Sequence, residues 1–86
     1  MSIPQIDASR SEVVSTRVHH LQFINSRLSQ RALALRLGSP ATSLSNKITG
    51  RTAWNLDELF VLCEVFDVSA DYLLGRSPID SAKPNP

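Results

Sequence analysis

The sequence predicts an all-α fold, a compact five-helix domain with flexible termini, and three observations carry that prediction. Between residues 10 and 76 apolar side chains recur at helical spacing, strict apolar/polar alternation is absent, and glycine and proline stand only at the joints between periodic segments. With 86 residues, 42% of them hydrophobic and 20% charged, the chain has the composition of one ordinary soluble domain. A domain this size buries only about 60% of its unfolded surface, so its core must be efficient.

The first helix is expected over residues 10–26, with Val14, Val18 and Leu21 as its buried stripe and Phe23 and Ile24 completing that face. Ser29 is a good N-cap for a second helix through Leu33, Ala34 and Leu37, which Gly38 stops in the left-handed conformation. The third, residues 40–49, starts almost at once: Ser39 is placed to cap it, Pro40 suits a first helical position, where no N–H is needed, and Gly50 ends it. Leu44 and Ile48, four apart, form its inward face. The fourth runs from near Asn55 to Phe66, with Leu59, Leu62, Cys63 and Phe66 inward and Asp57 and Glu58 near its positive end. Ser69 caps a short fifth helix, 70–74, which Gly75 closes. Residues 1–9 and 77–86 are rich in Ser, Pro and small side chains without apolar periodicity, so both ends are expected to be flexible and removal of the chain beyond Arg76 to leave folding intact.

The net charge of +1 conceals two unlike halves. Through residue 51, seven cations stand against two acids, a net +5; from residue 52, two cations stand against six acids, a net −4. Such asymmetry suits a basic face for phosphates on an acidic body. One cysteine, Cys63, excludes an internal disulfide and cannot make a zinc site alone; together with the lack of an apolar run after a basic start, and of any apolar stretch of about 20 residues, this makes the cytoplasm of a bacterial cell the expected location. Cys63 is read as a small buried hydrophobe, and Trp54, in a loop, as a plug that closes the core. His19 and His20 are adjacent and point apart on a helix, which argues against paired metal ligands. Neither metal nor cofactor is expected, and an enzymatic reading finds no Ser/His/Asp arrangement, glycine-rich phosphate loop or metal cluster.

The feature that points to function is the pair of short helices joined through Gly38 with almost no linker. This connection forces a sharp crossing and leaves the polar face of the second of them projecting outward. That face carries Ala41, Thr42, Ser45 and Asn46, small or amide-bearing side chains that fit a major groove about 12 Å wide, where Asn bonds adenine through two hydrogen bonds and a Thr methyl meets a thymine methyl.

The stretch LSQRALALRLGSPATSLSNKITG followed by WNLDELFVLCEVFDVSADYLLG resembles the lambda-repressor-like, Xre-type helix-turn-helix family over roughly residues 14–75. The segment from Ser45 to Arg51, with Trp54, looks most like actinobacterial and phage members. The resemblance implies a DNA-binding domain in which Gln30 bonds a phosphate and supports a recognition side chain. Ala41, Thr42 and Asn46 match positions that meet base edges, Ser43 one that touches the backbone, and Lys47 and Arg51 positions that grip phosphates. The base-contacting candidates are therefore Ala41, Thr42, Ser45 and Asn46, and the phosphate-contacting candidates Gln30, Arg31, Ser43, Lys47 and Arg51. Pro40 and Ala41 stand where relatives often carry polar residues, which shifts weight toward Asn46, Thr42 and DNA shape. Leu35 and Val61 also depart from the family pattern, which usually has polar residues there, and are expected on a dimer surface.

The function expected from these residues is that of a phage- or prophage-type repressor. It would read a palindromic operator as a homodimer, pairing through the fifth helix, including Tyr72, and the adjoining surface of the fourth, without a small-molecule ligand or a membrane. The alternative is a protein-binding module on the same fold, of antitoxin or anti-repressor type, kept open by the near-neutral charge and by small residues such as Ala41 and Ser45.

Overall fold

Asp7 starts the first helix earlier than the apolar pattern does. Its carboxylate accepts the Ser9 N–H at 2.8 Å, and α1 accordingly spans Ala8–Ile24. The computed structural model describes residues 6–81, and these form α1, α2 (Gln30–Leu37), α3 (Ala41–Ile48), α4 (Leu56–Phe66), α5 (Ala70–Leu73) and a 3-10 turn, Ile79–Ser81. The all-α, five-helix expectation holds. Residues 1–5 and 82–86, parts of the expected flexible ends, lie outside the described residues.

Each remaining helix boundary has a local cause. Ser29 caps α2 by accepting the Ala32 N–H at 3.0 Å, and Ser69 caps α5 by accepting the Tyr72 N–H at 3.1 Å. Asn55 and Glu58 form a reciprocal capping box at the start of α4. The turn after α2 places Gly38 at φ +67°, a left-handed conformation that costs a residue with a side chain about 1–2 kcal/mol. The Ser39 N–H is then drawn back to the Ala34 carbonyl, so the chain cannot enter a new helix at Ser39. Pro40, expected as the first helical residue behind a Ser39 cap, is therefore itself the extended cap residue of α3 and offers no side-chain bond.

Leu21, Leu33, Leu44, Trp54, Leu62, Phe66 and Leu73 are fully buried and join Val14 and Val18 in one core that all five helices share. Phe23, expected to complete the buried face of α1, is 79% exposed, while Ile24 packs against the core. At about 100° per residue Phe23 lies some 200° round the helix from Leu21, which carries it to the opposite face. Val61 is half-buried, whereas Leu35 is exposed as expected. Cys63 is only partly buried, and what burial it has pushes its thiol pKa up.

Tyr72, expected on an outer surface, is 3% exposed. Its ring lies under the Arg17 guanidinium at 4.8 Å, and its hydroxyl donates to the Ile79 carbonyl at 2.8 Å. Arg17 also donates to the Ser77 carbonyl at 2.7 Å, so the segment after Arg76, expected to be undocked, is tied to the body as far as the 3-10 turn. Burial, with a smaller contribution from Asp80, raises the Tyr72 pKa above its ordinary value of 10.0, against an opposing pull from Arg17. A raised folded-state pKa stabilises the fold fully below pH 10, and that stabilisation is lost as pH rises through the folded value. Denaturant midpoints followed into alkali should therefore fall from about pH 10, and Tyr72→Phe should flatten that fall; an equal slope in the variant would mean that Tyr72 does not titrate from this site.

Candidate nucleic-acid interface

α3 is short, and two apolar side chains hold its inner side: Leu44 is 1% exposed and Ile48 is partly buried against the core. Residues 42, 45, 46 and 49 follow the helical i, i+3, i+4, i+7 pattern and share the opposite stripe. Thr42 on that stripe is exposed, as is Ala41 beside it, and Ser45 and Asn46 are half-buried along its flanks. Thr49 completes the stripe and was missed in the sequence because it reads as a turn residue. Its hydroxyl is occupied by the Ser45 carbonyl at 2.9 Å and the Asn46 carbonyl at 3.2 Å, so it closes the helix.

The turn beyond α3 folds back onto the helix. Gly50 N–H donates to the Lys47 carbonyl at 3.1 Å and Arg51 N–H to the Asn46 carbonyl at 2.8 Å, the paired bonds of a left-handed helix stop. This fixes the backbone of Arg51 against that of Asn46 and leaves the Arg51 side chain exposed. Gln30 and Arg31, at the start of α2, are exposed too, and Ser43 is half-buried. Among the described residues, the side chains of Gln30, Arg31, Thr42, Ser43, Ser45, Asn46 and Arg51 make no hydrogen bond or ion pair within the protein. A surface hollow beside this region is lined by Ser9 and Glu12 of α1 together with Gly50 and Arg51, so one acid borders the cationic turn.

Lys47 is different. Its ammonium pairs with the Glu58 carboxylate, and the two side chains are only 17% and 8% exposed. Lys47, expected to grip a phosphate, thus has its ammonium paired inside the domain, by an acid that lies eleven residues on in sequence. The Lys47 carbonyl is engaged as well, since it accepts from the Ser15 hydroxyl of α1.

Ser15 belongs to a buried polar group that the apolar pattern conceals. Trp54, fully buried, donates its indole N–H to Ser15 Oγ at 2.9 Å and its backbone N–H to Ser11 Oγ at 2.8 Å. The Ile6 N–H reaches the Trp54 carbonyl at 2.9 Å. Trp54 is the core plug expected of it, and Ser11 and Ser15 are the small hydroxyls, set among Val14 and Val18, that make room for it. No buried side-chain polar atom among the described residues lacks a partner. Among those residues no group of three or more His, Cys, Asp or Glu could hold a metal ion, and no helix is long and apolar enough to cross a membrane.

A family model described as Helix-turn-helix matches residues 24–73, a stretch that contains α2, the Gly38 turn, α3, α4 and α5. No curated protein and no solved structure matches the chain.

Proposed function

Since the chain belongs to the lambda-repressor-like, Xre-type helix-turn-helix family, a family of DNA-binding regulators, we propose that it is a sequence-specific repressor of phage or prophage type. In this reading α3 lies in the major groove of a palindromic operator half-site, and two protomers occupy half-sites one helical turn apart. The observation that carries it is the set of unengaged side chains on the outer stripe of α3, Thr42, Ser45 and Asn46, together with the unengaged Gln30 and Arg31 at the start of α2 and Arg51 in the turn after α3. Asn46 meets a base edge with Thr42, Ser45 and Ala41 beside it, while Gln30, Arg31, Ser43 and Arg51 hold the phosphates that fix α3 in register.

The twofold contact is proposed along α4. Leu56 and Phe60, one turn apart, are 51% and 66% exposed and share an outer flank with the partly buried Cys63. Phe60→Glu should weaken self-association in sedimentation at high protein concentration, and an unchanged association constant would move the interface elsewhere. Tyr72, buried under Arg17, has no part in that contact.

Titration of duplex DNA at increasing salt tests the functional reading. Each phosphate neutralised by a cation contributes a slope of about −0.9 in log K against log salt, so Arg31 and Arg51, two cations in each of two protomers, predict affinity that falls as salt rises. Affinity that is absent, or indifferent to salt, would favour a protein-binding module.

A further inference from the structure

We propose that Lys47 and Glu58 are a positioning pair that fixes the rotation of α3 about its own axis, and through it the base preference of the domain. The proposal rests on the DNA-reading role of α3. α3 has eight residues and few apolar anchors, Leu44 and Ile48, and an apolar contact tolerates sliding and rotation. A charged hydrogen bond does not, because it is directional and both groups are withdrawn from water.

The Glu58 end of the pair is rigid. Its Oε1 accepts the Asn55 N–H at 2.9 Å while its own N–H donates to Asn55 Oδ1 at 2.8 Å, so the carboxylate is part of the cap that starts α4. Its other oxygen takes the Lys47 ammonium. The Lys47 end is held twice, by Glu58 at the side chain and by the Ser15 hydroxyl at the carbonyl, and Ser15 in turn carries the Trp54 indole. One residue of α3 is thus bound to α1, to α4 and, through Ser15, to the core plug. Asn46 is its immediate neighbour, so a rotation of α3 that freed Lys47 would turn the whole stripe of Thr42, Ser45 and Asn46 away from its setting relative to α2 and α4.

The test is the double variant Lys47→Met/Glu58→Gln. It removes the pair, leaves the net charge unchanged and keeps an amide oxygen to accept the Asn55 N–H, so it should fold where Lys47→Met alone strands a buried carboxylate. Its non-specific duplex affinity and salt slope should match the parent, while its preference for the selected operator over random duplex falls about fivefold, the low end of what a lost base contact costs. Lys47→Arg should retain the preference. A slope reduced by about one counterion with preference intact would make Lys47 a phosphate contact and overturn the proposal. Unchanged slope and preference would overturn it too, by making the pair merely structural. A readout without DNA separates this from failure of the functional reading. Amide hydrogen exchange in α3 should quicken in the double variant relative to α1 even if the parent binds no duplex, and unchanged α3 exchange would sink the positioning role alone.

Discussion

Trp54→Ala is expected to cost about 3–5 kcal/mol, the scale of a large aromatic removed from a closed core. The side chain is fully buried, and the substitution also strips the indole N–H from Ser15, loosening the hydroxyl that holds the Lys47 carbonyl. At roughly 0.05–0.15 kcal/mol per residue, a domain of this size has about 4–13 kcal/mol in all, so the loss is a large share of its stability. Urea unfolding should show a large fall in midpoint, with specific and non-specific duplex binding lost together. A variant that keeps the parental midpoint would show that Trp54 is not the plug the packing makes it.

The second large effect falls on binding with the fold left intact. Asn46→Ala should weaken binding to the preferred operator by about 1–3 kcal/mol, roughly 5- to 150-fold, and relax preference at one base pair per half-site. Non-specific binding should hardly change, because no charge is removed. Arg51→Ala should do the opposite, weakening all duplexes about equally and lowering the salt slope by about one counterion per protomer without changing the preferred site. The two are neighbours through the bond from the Arg51 N–H to the Asn46 carbonyl, so a difference between their effects reports chemistry rather than location. Equal behaviour of the two variants would contradict the division of labour between reading and gripping.

The helices and the turn between α2 and α3 were legible because local signals specify them. Ser29, Asn55, Ser69 and Gly38 act within a few residues of the ends they set, and the stripes of α1 and α4 follow the helical period. The misreadings have equally local reasons. Asp7 stands in a polar stretch without apolar periodicity yet caps α1, and Phe23 matches Ile24 in hydrophobicity but not in its angle round the helix. Pro40 became a cap once the Ser39 N–H was committed to the Ala34 carbonyl, a bond that composition does not reveal.

At the candidate site the residues of the outer stripe were legible and the internal partners were not. Lys47 looks like any exposed cation of a DNA-binding helix until α4 brings Glu58 against it. Ser11 and Ser15 look like dilution of an apolar face until Trp54, some forty residues away, supplies donors to both. Tyr72 and Ile79 carry no shared pattern, and only the fold closes the distance between them. Long-range polar pairs of this kind leave no periodicity, so a chain read by period alone assigns their members to solvent or to ligand.

The most direct test is selection of bound sequences from a pool of random duplexes. The account predicts enrichment of a palindrome with half-sites one helical turn apart, and loss of enrichment at one position of each half-site when the selection is repeated with Asn46→Ala. A pool that emerges without an enriched sequence, or an enriched site that Asn46→Ala leaves unchanged, would contradict the claim that α3 reads DNA.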